Sequence, residues 1–222
     1  MQGTRHLKEL PREMQNLINL RHLYVDKEIE FPTGMFRGLT NLRTLSCSNN
    51  VGEEIACFDV GEEMGCRIEE LGGLNQLKGM LAIRNLKNVR DEAEAKKVKL
   101  EEKINVVELS LVFFADRLSS NINDENVLER LQPHTELESL RIEAFIGDRF
   151  PSWMMRVPLP LNNLKKLVLN RCRKCGQLPI LGHLPFLRDV EIFGMDNLKR
   201  FGSEIYGYDL VYEATREKET IV

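Results

Sequence analysis

Tryptophan occurs once in this 222-residue chain and cysteine five times, at Cys47, Cys57, Cys66, Cys172 and Cys175. So sparse and odd a set does not build a disulfide scaffold, and no Asn-x-Ser/Thr sequence marks a glycosylated surface. A reducing, intracellular (cytoplasmic) setting is expected. Charge of one sign is lacking too: 31 Lys and Arg against 34 Asp and Glu leave a net −3 and a pI of 5.9. The basic excess that nucleic acid or an anionic membrane would call for is missing. There is no apolar run of about 18 residues to span a bilayer, and the opening MQGTRHLKEL has no apolar core of the kind a secretory signal needs. Neither nucleic acid binding nor membrane insertion is expected.

Motifs that carry chemistry are also scarce. No G-x-x-x-x-G-K-[ST], no G-x-G-x-x-G and no H-E-x-x-H occurs. His6, His22, His134 and His183 are scattered along the chain, and no Ser or Cys keeps a fixed relation to any of them. Cys172-x-x-Cys175 is the one pair at metal-ligand spacing, but it has no second pair to complete a zinc site, so two buried structural thiols are expected. The acidic doublets Glu53-Glu54 and Glu62-Glu63 lack the alternating spacing of a calcium loop and read as solvated turns. No catalytic residue, metal site or cofactor site is therefore assigned, and an enzyme is not expected.

What the chain does have is leucine at a fixed rhythm. LINLRHLYV (17 to 25), LTNLRTLSC (39 to 47), TELESLRI (135 to 142), LNNLKKLVL (161 to 169) and LPFLRDVEI (184 to 192) share the outline L-x-x-L-x-x-L-x-L, with Val, Ile or Cys substituting and TELESLRI lacking the first leucine. LNQLKGMLAI (74 to 83), with one extra residue, and INVVELSL (104 to 111) are weaker copies. Steps of three fit neither an amphipathic helix nor a half-buried strand, whereas the single step of two fits a short strand. The residues opening that step are Leu23, Leu45, Leu81, Leu109, Leu140, Leu167 and Val190, at intervals of 22, 36, 28, 31, 27 and 23. The short intervals are those of a leucine-rich repeat, at about 20 to 29 residues, and the long ones require insertions.

One such coil cannot bury its leucines alone, so successive coils must stack. The expected fold is an α/β leucine-rich-repeat solenoid of about seven irregular coils, with a curved parallel sheet on the concave face and loops and short helices on the convex side. Pro11, Pro32, Pro151 and Pro179 fall in the return segments, where a missing N–H harms no ladder. The inward ninth position of the repeat reads Glu28, Asn50, Leu86, Phe114, Phe145, Cys172 and Met195, so its polar ladder is broken.

Three segments fall outside the repeat. Phe58 and Val60 alternate as an additional strand, followed by a helical turn holding Ile68 and Leu71. Residues 91 to 103 are rich in helix formers behind Asp91, a candidate N-cap. DENVLERL (124 to 131) has an apolar edge of Val127, Leu128 and Leu131. Trp153 reads as a plug of the convex side.

Side chains beside the strand leucines line the concave face, which is where a solenoid binds its partners. The candidates are Arg21, His22, Tyr24, Arg43, Glu138, Arg141, Lys165, Lys166, Arg171, Arg188, Glu191 and Phe193. Asp26, Lys27, Thr44, Ser46, Ser48 and Asn49 belong to the same surface. Lys165, Lys166 and Arg171 read as a local basic cluster, a place for an acidic partner.

LKELPREMQNLINLRHLYV, CRIEELGGLNQLKGMLAIRNLKNV, DENVLERLQPHTELESLRIEAFIGDRFPSWM and GQLPILGHLPFLRDVEIFGMDNLKRFGSEIYG together resemble the leucine-rich-repeat region of plant coiled-coil-type nucleotide-binding disease-resistance proteins. The resemblance runs over most of residues 5 to 207 and includes the insertions and the F-P-S-W loop. It implies an intracellular immune receptor in which this region helps sense a pathogen effector or a guarded host protein. It also implies that the region holds the nucleotide-binding and coiled-coil domains of the same or a related receptor inactive. ADP or ATP would belong to that nucleotide-binding domain, none of whose motifs occurs here. The pattern sets a repeat domain over 1–207, truncated at both ends, and a charged tail over 208–222. Uncapped apolar end coils are expected to make it poorly soluble alone.

Overall fold

A computed structural model describes residues 8–26, 29–46, 55–61, 66–113 and 122–198. Eight short strands form one sheet in chain order: β1 (His22–Tyr24), β2 (Thr44–Ser46), β3 (Ile55–Asp59), β4 (Gly79–Arg84), β5 (Val106–Val112), β6 (Ser139–Glu143), β7 (Lys166–Asn170) and β8 (Asp189–Phe193). Neighbours run parallel, except for one antiparallel contact of Ser46 with Ala56 between β2 and β3. The strand-opening residues lie side by side, Leu23 against Leu45, Leu81 against Leu109, and then Leu140, Leu167 and Val190 in turn. The leucine rhythm is thus the sheet's register.

The seven repeat strands are joined by an eighth, β3, from the insertion. Ala56 takes the leucine slot beside Leu81, and Phe58 lies beside Ile83. Ahead of this pairing the backbone N–H of Lys78 donates to Arg43 O at 3.1 Å, so the approach to β4 abuts the approach to β2 directly. The interval of 36 residues is therefore one coil plus a strand wedged into the sheet. Residues 47–54, which lead into it, lie outside the described residues.

One continuous apolar core runs from Leu10 to Met195 along the inside of the stack. The ninth position faces inward where it is described: Leu86, Phe145, Cys172 and Met195 are all buried. The residue before it turns the chain off the strand in a left-handed conformation, at Asn85 (φ 59°), Ala144 (φ 56°), Arg171 (φ 56°) and Gly194 (φ 62°). Only Gly194 does so without a Cβ penalty. Cys172 fills the polar role partially, its thiol donating to Ile142 O of the previous coil at 3.7 Å. Val190 is 42 % exposed although its equivalents in β4 to β7 are covered, because β8 has a neighbour on one side only among the described residues.

The convex side carries 3-10 turns and three short helices: α1 (Glu92–Lys96), α2 (Ile122–Arg130) and α3 (Ser152–Met155). The expectation of one helix over 91–103 is corrected. Asp91 does cap it, accepting from Glu94 N at 2.8 Å, but the helix ends at Lys96, Lys99 is left-handed (φ 54°), and a 3-10 turn follows at Leu100–Glu102. Val98 and Leu100 must both reach the core, and a straight helix does not turn both inward. Helix α2 buries Val127, Leu128 and Leu131, and Ile68 and Leu71 are buried in a 3-10 turn. Trp153 in α3 is a plug: it is buried and its Nε1 donates to Leu128 O at 3.1 Å.

Buried charges join coil to coil. Glu70 accepts from Gly34 N (2.8 Å), Phe36 N (3.2 Å) and Arg67 N (3.2 Å), tying two turns together. Lys103 is 1 % exposed and donates to Leu71 O (2.6 Å) and Asn75 Oδ1 (3.1 Å) of the preceding coil.

Candidate functional site

The concave face is built from the strand residues that alternate with the buried leucines, since successive strand side chains point to opposite sides of a sheet, and is edged by the residues that flank the strands, Arg21, Arg43, Glu138, Lys165, Arg171 and Arg188 among them. Arg21, His22, Tyr24, Arg43, Arg171, Arg188 and Phe193 are exposed, and Glu138, Arg141, Lys165, Lys166 and Glu191 are half-buried. Tyr24 and Phe193 are 61 % and 58 % exposed and stand at opposite ends of the sheet. His22 stacks on Tyr24, with ring centroids 6.5 Å apart and 11° between planes, and its Nδ1 lies 3.2 Å from Thr44 Oγ1. Thr44 and Ser46 are covered rather than surface-lining. Lys27, Ser48 and Asn49 lie outside the described residues, as do both acidic doublets.

Cross-strand ion pairs organise the carboxyl-terminal half of this face. Lys165 pairs with Glu138 at 2.7 Å and Lys166 with Glu191 at 2.6 Å, while Arg141 faces Glu143 at 4.0 Å within β6. The hydrogen bond from Lys166 holds the Glu191 carboxyl below the usual carboxylate range. Arg84 and Asp59 form a bidentate pair at 2.5 Å between β4 and β3. The basic cluster read at Lys165, Lys166 and Arg171 is therefore not one patch. Both lysines are paired with carboxylates, and Arg171 lies beyond the far end of β7, roughly 20 Å along an extended strand from Lys165.

Arg171 and Arg188 at this end are exposed and have no ion-pair partner among the described residues, and three more such cations lie together at the other end. Arg21, Arg43 and Lys78 are exposed and occupy consecutive coils, Arg43 N donating to Arg21 O at 2.8 Å and Lys78 N to Arg43 O at 3.1 Å. Sequence reasoning missed Lys78 because it stands one residue further from its leucine than Arg43 does. The hydrogen bond from Lys78 N to Arg43 O nevertheless sets the two side by side. The extra residue noted in LNQLKGMLAI was the available signal.

Elsewhere, a cavity of about 300 Å³ on the convex side is lined by Arg37, Glu69, Glu70, Gly73 and Lys97. Glu69 there bonds Lys97 at 2.7 Å and faces Arg37 at 3.9 Å, and the lysine's hydrogen bond lowers its pKa. This is an ion triad linking three coils. Cys172 and Cys175 are buried thiols, the first pushed up to about 12 by burial and the second raised further, so neither forms a ready thiolate. Among the described residues no group of three or more His, Cys, Asp or Glu is placed to hold a metal, and no helix is long and apolar enough to cross a membrane.

The repeats match the R13L1/DRL21 leucine-rich-repeat model over residues 68–195, more than half of the chain. The chain belongs to that family. Disease resistance RPP13-like protein 1 of Arabidopsis thaliana is 36% identical over 160 residues, 68% of this chain and 15% of its own length. Disease resistance protein RGA2 of Solanum bulbocastanum is 34% identical over 151 residues, 67% of this chain and 15% of its own. This R13L1/DRL21 chain thus spans about 15% of the length of these relatives, and the resemblance to the repeat region of plant disease-resistance proteins holds.

Proposed function

We propose that this chain is the recognition and autoinhibition module of an intracellular plant immune receptor and has no catalytic role. Its concave sheet would engage a pathogen effector or a guarded host protein, and in the resting state the nucleotide-binding and coiled-coil domains. Support comes from the family match together with one observation: an eight-stranded face whose two ends each present an aromatic side chain more than half exposed, with charged residues between them. Exposed aromatics flanked by polar groups are the usual anchors of protein interfaces.

The test is co-expression of the chain in trans with the coiled-coil and nucleotide-binding portion of the same receptor, or of its nearest genomic neighbour, followed by co-precipitation. Binding is expected, with a loss of about tenfold or more for Tyr24→Ser or Phe193→Ser, given that an interface anchor is worth about 2 kcal/mol or more. Charge reversal at Lys165 and Lys166 should matter less, because those charges are already paired. Absence of binding by the folded chain would overturn the autoinhibitory half of the proposal in favour of a free-standing adaptor that binds or competes with full-length receptors.

A further inference from the structure

We propose that Arg21, Arg43 and Lys78 form a rail that docks an acidic helical segment of a partner protein. The inference rests on the concave sheet being the binding surface, and it adds where on that surface a partner sits and what chemistry it brings.

Three observations carry it. First, the row is continuous. The hydrogen bonds from Arg43 N to Arg21 O and from Lys78 N to Arg43 O put the three residues on adjacent backbones, with β3 entering the sheet only beyond this level, at the Ile55–Met80 pair. Second, the row is free. Lys165, Lys166 and Arg84 are engaged by Glu138, Glu191 and Asp59, and the exposed Arg171 and Arg188 stand singly at opposite ends of the last strands, whereas these three are exposed, adjacent and make no ion pair among the described residues. Third, the row ends on an apolar step. In the next coil Ile104 and Val107 are 60 % and 38 % exposed, while Gly79 N donates to Asn105 O between them at 2.9 Å. Beyond that step Glu108 is exposed, and the Glu138–Lys165 pair closes the row with carboxylate, which bounds the rail at three cations.

Spacing selects the form of the partner. Adjacent strands lie about 4.8 Å apart. Carboxylates at i, i+4 and i+7 of a helix recur about every 4.5 to 6 Å along its axis, whereas same-face residues of an extended chain recur about every 6.6 to 6.8 Å. A helix laid across the strands meets each cation in turn, and apolar residues beside its acidic row can cover Ile104 and Val107. The chain's net charge of −3 disfavours a nucleic acid in the same place.

The experiment measures fluorescence anisotropy of the full chain with a labelled 20-residue peptide. The peptide carries Glu at i, i+4 and i+7, with Leu on the adjoining face. A peptide of the same length and charge broken by proline and a DNA duplex of equal charge are run alongside. The account expects the helical peptide to bind most tightly. It expects at least a tenfold loss in the triple variant R21Q/R43Q/K78Q with a shallower salt dependence, and less than a twofold change in K165Q/K166Q. Circular dichroism confirms that each variant is folded. Triple-variant binding within twofold of wild type, equal binding of the broken peptide, or tighter binding of the duplex would each overturn the rail. Because the peptide replaces the receptor's own domains, the rail can fail while co-precipitation succeeds, and the reverse.

Discussion

Lys103 shows how a single residue reports on the stacking of coils. It is as buried as the leucines around it, yet it spends its ammonium hydrogen bonds on the preceding coil, at Leu71 O and Asn75 Oδ1. Burial pushes its pKa from 10.5 down to about 8, only partly opposed by Glu102 and Glu101. Since the folded value lies below the unfolded one, the unfolded chain binds more protons between about pH 8 and 10.5, and stability rises with pH across that window. Below pH 8 the burial penalty is fully present. Wild-type stability in urea should therefore rise relative to Lys103→Met by up to ~3 kcal/mol from pH 8 to 10.5. Parallel pH profiles for the two proteins would show that the lysine is solvated. Nothing in the sequence marks this residue, because the run LEEKIN looks like a solvated surface and only the arrival of the neighbouring coil buries it.

At the scale of elements, the coils are held by backbone groups that one turn offers and a carboxylate of the next coil accepts. Glu70 is the clearest case. Glu70→Ala would leave Gly34 N, Phe36 N and Arg67 N without their acceptor, at about 1 to 3 kcal/mol for the buried Phe36 N and less for each of the two part-buried donors, so a loss of about 2 kcal/mol or more is expected in urea unfolding. The neighbouring Glu69→Ala breaks only contacts to the exposed ends of Arg37 and Lys97 and should cost no more than ~1 kcal/mol. Equal losses would contradict this view of the junction. The elements themselves were unevenly legible. Repeat strands could be read from the leucine steps alone, because burial on one side of a two-residue period leaves a periodic mark. Residues 91 to 103 could not be read in the same way. Their helix propensity is high throughout, but the need to bury Val98 and Leu100 on a turning path overrides it after Lys96. Lys78 was hidden by the one extra residue between Leu77 and Leu81, and the Lys165–Glu138 and Lys166–Glu191 pairs by the fact that their partners lie a full coil away in sequence.

For the whole molecule, stacking in chain order gives a two-faced object: a convex side of turns, short helices and an ion triad, and a concave side of strand residues that alternate with the core. Its electrostatics are divided along the same axis. A row of three unpaired cations stands beside β1, β2 and the approach to β4, and cross-strand pairs tie β6 to β7 and β7 to β8. A partner held by charge would seat on the first coils, and one held by aromatic contact could reach both Tyr24 and Phe193. The central claim is that binding uses the concave side. Hydroxyl-radical footprinting of the chain, alone and in complex with the coiled-coil and nucleotide-binding portion, tests it most directly, because oxidation reports on side chains whose backbone amides are already tied up in the sheet. The account predicts protection of Tyr24, Met80 and Phe193, with Leu17, Ile18 and Phe186 in the turns outside the strands still oxidised as in the free chain. Protection of the turn residues with Tyr24, Met80 and Phe193 unchanged would contradict it.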